Sequence, residues 1–360
     1  MKILLCGGGT MGSVSPLLAI AEEIKKQNNE VQFLWLGTKN GPEKKVIENY
    51  KIPFKEIFFG KLRRYFSWQN FIDIFKIKIA FFQSFFIILK FKPNIILSAG
   101  SFVAVPVIWA GWLLHIPCLI HQLDIRPTLA NKLTSSFVKK ITTTFEKSLK
   151  DFPKKKTIWT GNPIRQELQI INYDLEIKKA REFFSLKENL PTILIIGGGT
   201  GALDLNKIII QTLPKLTEFC QIIHLTGGKI DKNLSIQNYH AYDFLIKKIK
   251  DAYLVADLVI SRAGIGTLTE LSYFKKPSIL IPMPQTHQEE NAQFFKNNQA
   301  TIVLDQNELI KDPNLIIKEI RKLLPNKKEL QSLSENIGKL NKQNAEKKIV
   351  EIIKNVILNL

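Results

Sequence analysis

The sequence predicts an α/β fold in which two halves each carry a parallel sheet, and three observations lead there. Short apolar strand-like runs alternate with helical patterns along most of the 360 residues, as parallel strands covered on both faces require. The pattern opens with Ile3-Leu4-Leu5-Cys6 running into Gly7-Gly8-Gly9-Thr10-Met11-Gly12. It restarts with Thr192-Ile193-Leu194-Ile195-Ile196 running into Gly197-Gly198-Gly199-Thr200-Gly201-Ala202. Finally, the chain is too long for one ordinary domain, and apolar residues at 45% suffice for two cores. Both halves therefore read as Rossmann-like.

In the first half a helix is expected from about Pro16 to Gln27, with strands at Val31–Leu36, Asn94–Ser98, Cys118–His121 and Lys140–Thr143. Phe102 to Ile120 lacks Asp, Glu, Lys and Arg and is almost long enough to span a bilayer. Pro106, Pro117 and the turn-like His115-Ile116-Pro117 favour a buried helix followed by a strand instead. The half closes at Trp159-Thr160-Gly161-Asn162-Pro163. A helical stretch near Leu175–Phe184 precedes the second half, whose strands fall at Thr192–Ile196, Gln221–Leu225, Leu258–Ile260, Ser278–Ile281 and Thr301–Leu304. Residues from Pro313 to Leu360 read as helical and lysine-rich.

Both glycine turns satisfy the dinucleotide pattern, as Gly7-x-Gly9-x-x-Gly12 and Gly197-x-Gly199-x-x-Ala202. A nicotinamide cofactor also wants an acid closing the second strand. Leu36-Gly37-Thr38-Lys39 and Leu225-Thr226-Gly227-Gly228-Lys229 hold none, which counts against a dehydrogenase. The most informative junction is Ile260-Ser261-Arg262-Ala263-Gly264-Ile265-Gly266-Thr267-Leu268-Thr269-Glu270. It reads as strand, glycine turn and helix start, which leaves N–H groups at the positive end of the helix dipole, where a phosphate binds. Glu270, placed in the first turn, has two readings: a ligand for a ribose diol, or an acid favoured by the dipole.

The net charge is +19, from 51 Lys and Arg against 32 Asp and Glu, and favours an anionic partner. Cys6, Cys118 and Cys220 are far apart and sit in or beside apolar runs, so they read as buried thiols in a reducing compartment. The N-terminus leaves no room for a signal h-region, and a cytoplasmic protein is expected. Between Phe58 and Lys92, seven Lys and Arg face a single acid, Asp73, amid many aromatics. On a helix from Trp68 to Leu89, Phe71, Phe75, Phe82 and Leu89 are expected on one face and Ile72, Ile79 and Phe86 on another. Exposed aromatics beside Lys and Arg suit an anionic membrane surface, single-stranded nucleic acid could use the same materials, and a wholly buried helix is the third reading.

Several motifs fall in the order of a known family: Gly8-Gly9-Thr10 with Pro16, the His121 segment leading to Leu129-Ala130-Asn131, Gly161-Asn162-Pro163-Ile164-Arg165, Gly197–Ala202, Ser261–Glu270, and Gln288 with Asn291-Ala292. With these the chain resembles, over nearly its whole length, the MurG family of peripheral membrane glycosyltransferases. Members add N-acetylglucosamine from UDP-GlcNAc to undecaprenyl-pyrophosphoryl-MurNAc-pentapeptide in peptidoglycan synthesis. The resemblance implies a GT-B fold, two Rossmann-like domains facing across a cleft. Residues 1–163 would form an acceptor- and membrane-facing domain, residues 164–340 would hold UDP-GlcNAc, and residues 341–360 would form a helix returning toward the first domain.

The resemblance also implies roles. Glu270 would bind the ribose, and Ile246 would present backbone to the uracil. Ile265, Gly266, Thr267, Leu268 and Thr269, with Gly199 and Thr200, would surround the diphosphate. Gln288 with His287 would contact the GlcNAc hydroxyls, Arg165 would lie at the domain junction, and Thr10, Met11, Gly12 and Asp124 would face the acceptor. Phe71, Phe75, Lys78, Phe82 and Phe85 would meet the cytoplasmic face of the membrane, cell-wall synthesis proteins are candidate partners, and no nucleic acid is expected.

The sequence departs from the family at Met11, Ser13, Phe102, Gln122-Leu123-Asp124 and Gly199, mostly on the acceptor side. With Ser13 in place of the usual histidine, Asp124 and His121 are the candidates for the base, His121 being equally well read as a satisfied core histidine. No Asp-x-Asp occurs, so neither a carboxylate-held metal nor a cofactor is expected. A diacylglycerol glycosyltransferase, a UDP-GlcNAc 2-epimerase and a non-catalytic basic binding protein are the rival readings.

Overall fold

The structure is a computed structural model that describes residues 1–41, 43–60, 68–170, 172–198, 202–228, 236–245 and 248–358. Two compact units emerge: Met1–Gln166 with Lys342–Leu360, and Glu167–Asn341. Among the described residues the first unit contains β1 (Lys2–Cys6), β2 (Gln32–Gly37), β3 (Phe54–Glu56), β4 (Ile95–Ser98), β5 (Cys118–Gln122), β6 (Lys140–Thr143) and β7 (Thr157–Trp159), paired in parallel in the order β3-β2-β1-β4-β5-β6-β7. The second contains β8 (Thr192–Ile196), β9 (Gln221–Leu225), β10 (Tyr239–Tyr242), β11 (Leu258–Ser261), β12 (Ser278–Leu280) and β13 (Ile302–Val303), all parallel in the order β10-β9-β8-β11-β12-β13.

In both sheets the chain runs outward one way from the first strand, then crosses back to continue on that strand's other side. The strand order thus reverses between β1 and β4, and between β8 and β11. Ligands of open parallel sheets bind outside the carboxyl ends at such switch points. The four strands carry continuous apolar runs because both their faces are covered: Ile3, Leu4, Leu5 and Cys6 are fully buried, as are Leu258, Val259 and Ile260. Burial pushes the Cys6 and Cys220 thiols up to about 12 and raises Cys118 as well, so all three are inert protonated thiols.

Sequence periodicity did not reveal β3, β7 and β10. Each is an edge or near-edge strand of three or four residues. Such short strands are held largely by main-chain pairing to one neighbour, so they need no apolar run. The C-terminal stretch is helical as expected but broken into Asn314–Leu323, Lys327–Lys339 and Ala345–Leu358. The last of these packs on the helix Ser15–Gln27 of the first unit.

The helix Trp68–Phe91 corrects the expected division into two faces. Phe75, Ile79, Phe82, Phe86 and Leu89 form one stripe at spacings of four and three, 45–66% exposed, so the wholly buried reading fails. The core-facing residues are Asp73, Ala80, Ser84 and Ile88. Phe85, expected on the membrane side, is half-buried against the core that Ile88 and Val107 share. Lys78 is exposed, its ammonium 5.6 Å from the centre of the Phe75 ring. The side chain of Phe71 lies outside the described residues, as do Lys61, Arg63, Arg64, Tyr65 and Phe66. No helix among the described residues is long and apolar enough to cross a membrane.

Candidate active site

In the second unit, β8 runs out into Gly197-Gly198, and Gly198 has φ +92°, a left-handed conformation that glycine adopts without strain. Gly199, Thr200 and Ile246, assigned to diphosphate and uracil, lie outside the described residues. Beside β8, β11 ends at Ser261 and the helix Ile265–Phe274 begins after Gly264. The first main-chain bond of that helix runs from Leu268 N–H to the Gly264 carbonyl at 3.0 Å. Ile265, Gly266 and Thr267 therefore present their N–H groups ahead of the helical ladder, and the cap residue, Gly264, has no side chain to accept from them. Among the described residues, a β-carbon added at Gly198, Gly264 or Gly266 would meet no atom within 4 Å. The three glycines thus leave open space above the positive end of the helix dipole, where an anion fits.

Glu270 is not in the first turn. With the helix starting at Ile265 it occupies the second, about 8 Å along the axis from the first residue, which removes the dipole as a reason for an acid there. Its half-buried carboxylate instead accepts a hydrogen bond from the Tyr253 hydroxyl at 2.9 Å. Tyr253 is fully buried and stacks on Phe274, ring centres 5.0 Å apart and 14° from parallel. The carboxylate is therefore held by an immobile donor. Sequence reasoning missed Tyr253, since only the fold brings the helix Ile249–Val255 alongside Ile265–Phe274.

The same edge gathers the sugar-contact candidates. Helix His287–Asn297 opens with Thr286 as cap, its hydroxyl accepting from Gln288 N–H at 3.2 Å. The Gln288 side-chain carbonyl accepts from Met283 N–H at 3.1 Å, while His287 is exposed. Buried Asn291 donates to the Ala263 carbonyl at 3.3 Å, tying this helix to the glycine junction. Arg262, also buried, donates through Nη1 to the carbonyls of Ile281 and Pro282 at 2.9 and 3.3 Å and so fixes the loop ahead of Gln288.

In the first unit the turn after β1 is closed differently. Gly9, at φ +83°, donates its N–H to the fully buried Glu43 carboxylate at 3.2 Å, and the Phe102 ring lies where a Gly9 β-carbon would stand. Glu43 also accepts from the Thr38 N–H and hydroxyl at 2.8 and 2.5 Å. An acid missing from the end of β2 thus arrives from a later helix, Glu43–Asn49, and takes an amide that a dinucleotide would need. Ser101 donates to the Gly8 carbonyl at 2.9 Å. Thr10, exposed, precedes the short helical turn Met11–Ser13, where Met11 and Gly12 are half-buried.

Asp124 and His121 sit at the same carboxyl edge in different settings. His121 is fully buried at the end of β5. Its Nδ1 is 2.8 Å from the Thr142 hydroxyl, and its Nε2 is 3.1 Å from the Asn162 side-chain carbonyl and 3.2 Å from the Thr144 hydroxyl. Burial lowers its pKa to about 4, so the ring is neutral at physiological pH. Gln122, buried beside it, donates to the Asp124 and Arg126 carbonyls at 2.8 and 2.9 Å and accepts from Asn131 at 2.7 Å. This network shapes a loop on which Asp124 is half-buried. Arg165, half-buried, lies in the segment that leaves the first sheet after β7.

Residues 3–143 match the glycosyltransferase family 28 N-terminal domain and residues 192–353 match the family 28 C-terminal domain. A UDP-N-acetylglucosamine--N-acetylmuramyl-(pentapeptide) pyrophosphoryl-undecaprenol N-acetylglucosamine transferase of Legionella pneumophila is 37% identical over 98% of this chain and 96% of its own. Its namesake from Clostridium kluyveri is 37% identical over 89% and 91%. The crystal structure of Acinetobacter baumannii MurG superposes with a TM-score of 0.74 at 25% identity, covering 98% of this chain and 99% of that one. A Neisseria meningitidis UDP-GlcNAc 2-epimerase, at TM-score 0.71 and 18% identity over 99% and 100%, shares the fold.

Proposed function

The chain belongs to glycosyltransferase family 28, and from that premise we propose its reaction and the residues that carry it. It is a UDP-GlcNAc-dependent N-acetylglucosaminyltransferase of GT-B fold that acts on undecaprenyl-pyrophosphoryl-MurNAc-pentapeptide in peptidoglycan synthesis. The acceptor hydroxyl attacks the anomeric carbon of GlcNAc. A new carbon–oxygen bond forms as the bond to the diphosphate breaks, the electron pair leaves with UDP, and the configuration inverts through an oxocarbenium-like transition state.

The observation that carries the donor assignment is the open junction Gly264–Thr267 with Glu270 held by Tyr253. The uncapped N–H groups take the charge that develops on the departing diphosphate, preorganised and needing no rearrangement. Glu270 accepts from the ribose hydroxyls, and Gln288 and His287 contact the sugar. Gly199, Thr200 and Ile246 complete the donor side by their place in the family's motifs.

On the acceptor side Thr10, Met11 and Gly12 line the glycine loop, and Asp124 takes the hydroxyl proton. His121, neutral and with both ring nitrogens engaged, is not the base, and Gln122 positions the loop that carries Asp124. Arg165 lies at the end of the first unit's continuous segment, just before the chain enters the second. The exposed stripe Phe75, Ile79, Phe82, Phe86 and Leu89, with Lys78 beside it, rests on the cytoplasmic face of the membrane as a peripheral contact and favours a lipid-linked acceptor over a soluble one.

The test is UDP release by purified protein in detergent with EDTA, given UDP-GlcNAc and one of three additions: the lipid-linked muramyl-pentapeptide, diacylglycerol, or none. Release that requires the muramyl lipid is expected. Release with diacylglycerol alone, or without acceptor and with N-acetylmannosamine formed, would assign a different transferase or an epimerase.

A further inference from the structure

We infer a second lipid site at the amino ends of the first sheet, opposite the glycine loops: a pocket that takes one anionic phospholipid, its phosphate among lysines and its acyl chain on an apolar floor. This rests on the membrane reading above. The pocket has a volume of about 500 Å³, within the ~300–1,000 Å³ range of small-molecule sites. It opens where β1 begins at Lys2, β2 at Gln32, and Pro53 leads into β3, so it shares no residue with the candidate active site.

Lys2, Lys25, Lys51, Lys55 and Lys90 line it, and no Asp or Glu does. Glu56, the acid beside Lys55 in sequence, is turned to Lys44 at 2.8 Å. Two of the lysines are drawn over the floor: the Lys2 ammonium lies 5.6 Å from the centre of the Phe91 ring and that of Lys25 5.7 Å from the Phe33 ring. Val31, Phe33, Ile52 and Phe91 make that floor. A free phosphate would use the charge and leave the floor idle, whereas a neutral lipid would do the reverse. An anionic amphiphile uses both.

Its source follows from continuity. Ile87, Lys90 and Phe91 in the last two turns of helix Trp68–Phe91 form one wall, and the same helix exposes Phe82, Phe86 and Leu89. The helix that rests on the lipid surface thus delivers one of its lipids to the pocket.

The test is calorimetric titration of the full chain with dihexanoyl phosphatidylglycerol below its micelle concentration, against dihexanoyl phosphatidylcholine and inorganic phosphate. Saturable one-to-one binding at least tenfold tighter than either comparison ligand is expected. The pair Lys25→Glu and Lys55→Glu should weaken it at least tenfold while leaving acceptor-dependent UDP release within twofold. Phosphate or phosphatidylcholine binding as tightly, or an unaffected double variant, overturns the pocket. Phe82→Ser with Phe86→Ser should reduce binding to phosphatidylglycerol vesicles but leave the monomer titration intact. A wild-type protein that ignores such vesicles overturns the membrane reading and the proposal with it, while failure of the monomer titration alone overturns only the pocket.

Discussion

Replacing Tyr253 by Phe removes a contact that distinguishes a ribose-binding Glu270 from an ordinary surface acid. The hydroxyl donates to the Glu270 carboxylate at 2.9 Å, and hydrogen bonds to charged groups contribute about 1.5–3 kcal/mol. Glu270 is only half-buried, so water replaces part of the loss and ~1–1.5 kcal/mol is the appropriate figure, a factor of about five to ten. The ribose is remote from the bond that breaks, and an interaction equal in ground and transition states raises KM without lowering kcat. We therefore expect the KM for UDP-GlcNAc to rise about five- to tenfold with kcat within about twofold, measured at saturating acceptor. The phenylalanine keeps the stack on Phe274, so the melting temperature should stay within about 4 °C. Glu270→Ala should cost about a hundredfold in kcat/KM, since both ribose hydrogen bonds go. Were Tyr253→Phe to lower kcat at unchanged KM, Glu270 would have to act on the reacting bond and the ribose assignment would be wrong.

Other expectations follow from the same geometry. Asp124→Asn should lower kcat by about 10²–10⁴ and leave UDP-GlcNAc affinity intact in a binding titration; full turnover would remove Asp124 as the base. Gly266→Ala adds a methyl where no described residue lies within 4 Å and should raise stability by up to ~1 kcal/mol yet weaken donor binding, whereas retained affinity would place the diphosphate elsewhere. Glu43→Ala leaves the Gly9 and Thr38 donors without their acceptor and should destabilise the first unit by about 2–4 kcal/mol in denaturant unfolding. His121 and His224, each lowered to about 4 by burial, stay neutral in the native state below pH 6.5 while the unfolded chain takes up protons. Their stabilising effect is complete above pH 6.5 and declines as pH falls toward 4, by up to ~1.4 kcal/mol per pH unit per histidine. An unfolding midpoint that rose on acidification through this window would refute the buried, neutral assignment.

The central strands were legible because doubly covered parallel strands must be apolar throughout, and the glycine junction Gly264–Thr267 because a strand-to-helix turn needs residues without side chains. What stayed hidden depended on the third dimension. Tyr253 lies 17 positions before its partner, and Glu43 reaches Gly9 across 34; neither spacing belongs to a local motif. The helix Trp68–Phe91 was legible as a helix but not in its orientation, since its core-facing residues include Asp73, Ala80 and Ser84, small or polar groups that accommodate close packing on the helix Ala104–Leu113. His121 illustrates the converse: the sequence allowed a catalytic or a structural histidine, and only the fold shows its three side-chain partners, Thr142, Asn162 and Thr144.

The most direct test of the central claim is the product itself. With UDP-GlcNAc labelled in the sugar, the lipid-linked muramyl-pentapeptide and EDTA, we expect the label to enter a lipid-linked disaccharide whose new linkage has the β configuration, inverted from the donor. Label that stays in nucleotide or free sugar, or a product of retained configuration, would contradict it.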